Sequence, residues 1–340
     1  MHQRKLASKF DRRKFLATTA GAAAGLVARP YVGRADAKEV LIAEPVHGTG
    51  YLPLYVGMAK NLFDDVAVKL VTIESGGGHT NAVLSGQAFA FIGGPEHDAY
   101  AKAKGAELRA VVNCVDRGNV YYCAPKGKEP APGTELSSYF KGKSIACGPY
   151  GGTPNSITRY FLKKWNFDAT RDVTLVETAN SATVAAVKSG QAQIGEATEP
   201  FVTQGIRTGV WSEPFLNIPK ELGPYAYSTF NVRLDTIQKE PELVRGFVRG
   251  MMKALKSVYD NRDEAAEIAK KQFPTMALED LKATLDRSFA DELWSRDGSI
   301  SRPAWDTAKA VVMGAGLLKS DVKYDDIIDM SFVESVRATL

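Results

Sequence analysis

Cys147-Gly148-Pro149-Tyr150-Gly151-Gly152-Thr153-Pro154-Asn155-Ser156 is the most informative stretch of the sequence. It follows an apolar run at 144–147 that predicts a buried strand, and apolar residues at 157, 160, 161 and 165 then predict one face of a helix. Thr153 is expected to cap this helix, with Pro154 at its first position. The glycines let a ligand approach the backbone, and a helix N-terminus attracts acceptors and negative charge. The stretch predicts strand, turn and helix, and its glycines serve either ligand binding or turn geometry alone.

The same strand, turn and helix order recurs along the chain. The predicted strands are Val40–Glu44, Val66–Glu74, Phe89–Ile92, Leu108–Cys114, 144–147, Val173–Glu177, Gln193–Ile194 and Tyr225–Val232. Helices are predicted between them, and four more follow at Pro241–Asn261, Glu264–Gln272, Leu278–Phe289 and Pro303–Leu318. Such alternation predicts parallel sheets covered by helices. The turn Ser-Gly-Gln-Ala occurs at 85–88 and again at 189–192, in the same place relative to a helix and a strand, which indicates duplicated halves.

The length of the chain favours two domains over one. Residues 38–120 together with 230–340 are predicted to form domain 1, and residues 121–229 to form domain 2. The chain would cross between them near Gly118–Ala124 and Leu222–Asn231, so the C-terminal helices complete the first domain.

The first 37 residues predict a signal peptide. Asp11-Arg12-Arg13-Lys14-Phe15-Leu16 has the twin arginines of a twin-arginine export signal, and an alanine-rich run and Ala35-Asp36-Ala37 follow it. The apolar run is too short and too mild for a membrane span. A basic N-terminal arm would explain neither the alanine run nor the cleavage motif. We therefore expect export by the twin-arginine route, with cleavage after Ala37.

Most of the positive charge belongs to this segment. Its eight basic and two acidic residues leave 35 basic and 37 acidic residues in 38–340, a net charge of −2. There is thus no electrostatic case for nucleic acid or a membrane surface as partner. The three cysteines leave at least one thiol unpaired. Cys114 and Cys147 are expected to be buried free thiols, and a Cys114–Cys123 bridge stays open.

Several motifs resemble those of a known family. They are Glu44-Pro45-Val46-His47, Tyr51-Leu52-Pro53-Leu54-Tyr55-Val56, Lys60-Asn61-Leu62-Phe63, the two Ser-Gly-Gln-Ala turns, Gly94-Pro95-Glu96-His97, Glu199-Pro200 and the tail Tyr324–Phe332. Over nearly all of residues 38–340 the sequence resembles the nitrate/sulfonate/taurine-type periplasmic solute-binding proteins of ABC transporters, which include thiamine-pyrimidine-binding proteins.

The resemblance implies an α/β, type II periplasmic-binding-protein fold: two doubly wound α/β domains, a two-crossing hinge and a ligand cleft between them. It further implies a periplasmic protein that captures a small polar organic molecule by domain closure and delivers it to the membrane permease of an ABC importer. On this basis we expect neither catalysis nor a cofactor, and a monomer.

In open α/β sheets, ligands bind beyond the carboxyl ends of the strands. The turns there are small or polar and come from both halves of the chain, so a ligand touching both would hold the cleft closed. The predicted ligand-binding residues are His47, Gly48, Tyr51, Gly78, His79, Thr80, Gly94, Glu96, His97, Gly148, Tyr150, Gly151, Gly152, Thr153, Glu196, Glu199 and Tyr227. The aromatic residues among them either stack on a flat ligand or belong to the core.

The candidate turns contain Glu96, Glu196 and Glu199 but almost no basic residue, Arg117 being the nearest. A dianionic tetrahedral ligand would leave those carboxylates unpaired, which is costly once the cleft closes. A neutral or weakly charged polar molecule, for example a heteroaromatic one, fits better than such a dianion. The sequence does not decide between a heteroaromatic or pyrimidine-like ligand and sulfonate, nitrate or another molecule.

An enzyme on the same fold is the alternative. The chain has no Walker lysine loop, no G-x-S-x-G elbow and no H-E-x-x-H helix. Pyrimidine synthases share the fold, but their cysteine-rich metal motif has no counterpart here. His47, His79 and His97 fall at ligand-side turns and could ligate a metal, although histidines there more often bond an organic ligand or a carboxylate. We expect no metal site.

Overall fold

A computed structural model of the chain describes residues 37–340. The predicted signal peptide lies outside these residues, apart from Ala37. The strands are β1 Lys38–Glu44, β2 Val66–Thr72, β3 Ala90–Gly93, β4 Leu108–Arg117, β5 Tyr121–Cys123, β6 Ser144–Cys147, β7 Thr174–Glu177, β8 Ile194–Ala197, β9 Leu216–Asn217 and β10 Pro224–Arg233. The α-helices are α1 Leu52–Ala59, α2 Gly78–Leu84, α3 Glu96–Lys102, α4 Leu136–Phe140, α5 Thr153–Lys164, α6 Thr183–Lys188, α7 Phe201–Arg207, α8 Ile218–Leu222, α9 Leu234–Lys239, α10 Pro241–Asp260, α11 Arg262–Gln272, α12 Leu278–Ala290, α13 Arg302–Gly314 and α14 Ser331–Arg337.

The strands form two five-stranded sheets with the orders β2-β1-β3-β10-β4 and β7-β6-β8-β5-β9. β1 pairs in parallel with β2 and β3, and β6 pairs in parallel with β7 and β8. The two sheets therefore share one order for their parallel strands, as expected of duplicated halves.

Both sheets contain the predicted parallel strands, and each also contains an antiparallel strand that the alternation of strand and helix does not predict. β10 runs antiparallel to β3 and β4, and β5 runs antiparallel to β8 and β9. Both strands belong to segments where the chain passes directly from one sheet to the other. The alternation of strand and helix describes strands joined by a helix within one sheet, so it does not set the direction of a strand that enters from the other sheet.

The C-terminal helices pack against elements of both sheets. α10 buries one face, with Val244, Phe247, Met251 and Leu255 at helical spacing, and contacts α1 and α14. α13 contacts both β10 and α5, and α12 contacts α7. Residues Ala37–Leu340 pack as one compact unit, so the division into two domains stays a prediction.

The cysteines are all buried and free, so Cys114 and Cys123 are not bridged. Within residues 37–340, no helix is both long enough and apolar enough to cross a membrane.

The stretch at 147–156 folds as predicted in outline. β6 ends at Cys147 and α5 begins at Thr153, which is one residue earlier than expected. The prediction that Thr153 caps the helix is wrong. Gly152 occupies the cap position without a side-chain hydrogen bond, and the Thr153 hydroxyl bonds elsewhere.

Candidate ligand-binding site

A cavity lies where the carboxyl ends of strands from both sheets meet, and its empty space, including the open mouth, is about 720 Å³. Its wall follows β1, β2 and β3 of the first sheet and β6, β7 and β8 of the second. The lining residues are Pro45, Val46, Gly48, Gly50, Tyr51, Glu74, Ser75, Gly76, His79, Gly93, His97, Asn119, Pro149, Gly152, Thr153, Pro154, Ala179, Asn180, Thr198, Glu199, Tyr227 and Ser228. In open α/β sheets, ligands bind at this position, beyond the carboxyl ends of the parallel strands.

The structure brings part of the predicted residue set to this wall. Those that line it are Gly48, Tyr51, His79, His97, Gly152, Thr153, Glu199 and Tyr227. The others lie outside the wall and are His47, Gly78, Thr80, Gly94, Glu96, Gly148, Tyr150, Gly151 and Glu196. Tyr150 is 57% exposed, with the guanidinium of Arg159 4.8 Å above the centre of its ring. For the predicted residues on the wall and for those outside it, contact with a ligand stays a prediction.

The sequence interpretation missed several lining residues. They include Glu74, Ser75, Asn119, Asn180, Thr198 and Ser228. Ligands bind beyond the carboxyl ends of strands, and we call this the strand-end rule. Applied to β2 and β7 as fully as to β3 and β6, the rule would have found Glu74, Ser75 and Asn180. Asn119 and Ser228 lie on the crossing segments, where no periodicity marks a binding residue.

The turns of the two sheets touch beside the cavity. A Cβ atom added to Gly76 would lie 1.9 Å from the carbonyl oxygen of Tyr150, so this approach requires glycine. Ser181 Oγ donates to Glu74 Oε2 at 3.1 Å. These contacts join the turn after β2 to the turns after β6 and β7.

Glu96 is buried behind the wall and bonded within the protein. Thr153 Oγ1 donates to Glu96 Oε1 at 2.5 Å, which explains why the hydroxyl is not free to cap α5. Burial raises the pKa of Glu96 from an ordinary value of 4.5 to about 7, although the bond from Thr153 opposes this shift.

Glu196 and Glu199 are also engaged by protein groups. Glu196 accepts from the Gly148 N–H at 3.1 Å and from the Thr158 hydroxyl, and burial raises its pKa to about 7. Glu199 accepts from Arg287 Nε at 2.8 Å and from the hydroxyl and N–H of Thr203. The expectation that these carboxylates lack a basic partner is therefore wrong for Glu199, because α12 supplies Arg287.

The histidines fall into two groups. His47 Nδ1 lies 2.9 Å from Glu44 Oε1, and this bond raises the pKa of the imidazole. His79 and His97 are buried with their ring centres 4.7 Å apart. Burial lowers the pKa of His97 to about 4 and holds that of His79 well below its usual range, so both are neutral at pH 7.

The arrangement gives no geometric support to a metal centre. In the part of the chain that the structure describes, no three His, Cys, Asp or Glu side chains come together as ligands for one ion. The three histidines considered as ligands are not assembled at one point, since His47 bonds to Glu44 instead.

The sequence of this chain is similar to those of known proteins. Residues 46–271 match the family described as NMT1-like. YtlA of Bacillus subtilis (strain 168), provisionally named a binding protein, is 22% identical over 305 residues, which cover 88% of this chain and 90% of YtlA.

Two solved structures are similar in fold. A protein from Bordetella bronchiseptica RB50 superposes with a TM-score of 0.75 at 21% identity, over 88% of this chain and 97% of that one. The periplasmic nitrate-binding protein NrtA from Synechocystis PCC 6803 gives a TM-score of 0.71 at 15% identity, over 90% of this chain and 89% of NrtA. The predicted periplasmic-binding-protein fold is confirmed, with its two α/β sheets. Residues 46–271, which match the NMT1-like family, make up well over half of the 340-residue chain, so the chain belongs to that family.

Proposed function

We propose that the protein is an exported solute-binding protein, which captures a small polar organic molecule in the cavity and delivers it to the membrane permease of an ABC importer. One observation carries this proposal: the cavity wall is built from the strand ends of both sheets. A ligand there touches both sheets at once, so its binding energy can hold them together. The names of NrtA, a periplasmic nitrate-binding protein, and of YtlA support the same role.

Domain closure is part of the proposal. Residues 38–120 and 230–340 would move against residues 121–229, with hinge movements in the two crossing segments. The contact between Gly76 and Tyr150 and the bond between Thr153 and Glu96 lie across this division, so both belong to the closed form. The closed, ligand-bound form is what the permease would receive.

The cellular setting also belongs to the proposal. We place the protein in the periplasm as a monomer, after twin-arginine export and removal of residues 1–37. The name of NrtA, a periplasmic protein, supports this setting.

A metal-dependent or pyrimidine-synthase-like enzyme is not favoured. The three candidate histidines do not converge, and within residues 37–340 no other set of metal-ligating side chains does. We assign no catalytic residue and no cofactor.

Native mass spectrometry and small-angle scattering test the function together. We expect a monomer that carries one small molecule, and a radius of gyration that falls when ligand is added to stripped protein. An unchanged radius at saturation would contradict closure. Chemical conversion of the bound molecule would contradict a pure binding role.

A further inference from the structure

Three buried polar side chains on the cavity wall carry atoms that have no hydrogen-bond partner within residues 37–340. These four atoms are Nδ1 and Nε2 of His79, Oδ1 of Asn119 and Oγ1 of Thr198. The side chains are 2%, 5% and 5% exposed, and all three line the cavity. They come from α2, from the segment between β4 and β5, and from the turn after β8. Since a buried polar atom without a partner is costly, three side chains with such atoms around one cavity point to a ligand that completes their bonds.

The wall offers no positive charge to a ligand. Among the described residues that line the cavity, none is lysine or arginine, and the carboxylates are those of Glu74 and Glu199. Glu199 is bonded to Arg287, whereas Glu74 is exposed and accepts from Ser181. An anion in the cavity would lose its hydration without gaining a counter-charge, and a cation would find no free buried carboxylate on the wall.

The histidines do not change this balance. His79 and His97 are buried in the wall, and burial keeps both imidazoles neutral near pH 7. A neutral imidazole contributes one donor and one acceptor and no charge.

We propose that the cavity selects an uncharged nitrogen heterocycle or amide, and that His79, Asn119 and Thr198 determine this specificity. The inference rests on the proposed solute-binding function. Asn119 Oδ1 can only accept, while the Thr198 hydroxyl can donate and accept. An amide or ring N–H beside a carbonyl or ring nitrogen supplies the complementary pair. Tyr51 and Tyr227 line the same wall and offer aromatic surface to a flat ring.

The ligand class separates this protein from a relative of the same fold. NrtA is named for nitrate, a small oxoanion. The lack of a lysine or arginine on the described wall predicts that this chain does not retain such an anion.

Calorimetry on ligand-stripped protein at pH 7.5 tests the class. The probes are nitrate, ethanesulfonate and a library of uncharged amides and nitrogen heterocycles that includes nicotinamide, cytosine and uracil. We expect at least one uncharged compound to bind one to one with a Kd below about 100 µM, and neither anion to do so. Binding of either anion at that level, or of no uncharged compound, overturns the inference. An anion that binds and compacts the protein would leave the proposed solute-binding function standing.

Variants test the residues, with the tightest uncharged compound as probe. Thr198→Val keeps the side-chain shape and removes an unpartnered hydroxyl, so the ligand-free Tm should hold or rise while affinity falls about tenfold or more. His79→Ala should weaken binding at least as much. The control variants are Thr208→Val and Asn81→Ala. Both positions are exposed, Thr208 directly after α7 and Asn81 on α2, so these variants should bind as the wild type does. Unchanged affinity in both Thr198→Val and His79→Ala overturns the assignment of these contacts.

Discussion

Thr153 and Glu96 are joined by a 2.5 Å hydrogen bond from Oγ1 to Oε1, although they are 57 residues apart. Thr153 begins the helix after β6, and Glu96 begins the helix after β3, so the bond links the two sheets. Both residues are buried beside the cavity, and the second oxygen of Glu96 has no partner within residues 37–340. In the closure that we propose, this contact makes the ionisation of one carboxyl part of the energetics.

Replacing Glu96 should reveal a pH-dependent cost. Because burial raises the pKa of Glu96 to about 7, the folded protein holds a proton that the unfolded chain loses above about pH 4.5. The stability contributed by this group is therefore greatest at low pH and declines as pH rises towards 7. Glu96→Gln should equal the wild type near pH 5 and be more stable by roughly 2–3 kcal/mol near pH 8.

Urea unfolding at both pH values measures this difference. Glu39→Gln, which changes an exposed carboxylate on β1, should show almost none. A gap between Glu96→Gln and the wild type that stays the same at both pH values would contradict the argument.

Much of the architecture could be predicted because it follows from local patterns. The turn at 147–156 and the alternation around it predicted β1 to β4, β6 and α5 with small boundary errors. β5 and β9 were not predicted, because strands of three and two residues are too short to show an alternation of apolar and polar residues. The direction of these strands depends on how the chain crosses between the sheets, and a short segment of sequence does not show this.

The site was predictable only in part for a related reason. The strand-end rule placed His79, Gly152 and Glu199 on the wall, because it depends on local order along the chain. Arg287 could not be assigned to Glu199 from sequence, since 88 residues separate them and the contact depends on how α12 packs. The same holds for the hydroxyl of Thr153, which local preference assigns to a helix cap and tertiary packing assigns to Glu96.

Export should depend on the twin arginines. The N-terminal motif predicts that the periplasmic protein begins at Lys38, and that changing Arg12 and Arg13 to lysine retains the precursor in the cytoplasm. N-terminal sequencing and cell fractionation measure the two outcomes. An intact N-terminus on periplasmic protein would contradict the predicted cleavage.

Arg287 should matter far more for stability than another arginine that forms an ion pair. Its guanidinium bonds to Glu199, which is fully buried, and removing one partner of such a pair leaves an uncompensated charge. Arg287→Met should therefore cost about 3 kcal/mol of unfolding free energy. Arg207→Met is the matched control, because Arg207 is 50% exposed and pairs with Asp280, and it should cost about 1 kcal/mol or less.

A double variant separates charge from packing at this pair. Adding Glu199→Gln to Arg287→Met removes the unpaired charge and should recover part of the lost stability. Equal losses in the two arginine variants, or no recovery in the double variant, would show that the ion pair is not the cause.

The approach of the two sheets should depend on the absence of a side chain at Gly76. A methyl group there would lie 1.9 Å from the carbonyl oxygen of Tyr150, whereas a Cβ on the adjacent Gly77 has no atom within 4 Å. Gly76→Ala should therefore keep the turns after β2 and β6 apart, while Gly77→Ala should leave them in contact. Since backbone cannot yield as a flexible side chain does, we expect Gly76→Ala to lower ligand affinity about tenfold or more. Scattering should show less compaction on ligand addition for Gly76→Ala than for Gly77→Ala, at similar ligand-free Tm. Full compaction and wild-type affinity in Gly76→Ala would mean that this contact does not limit closure.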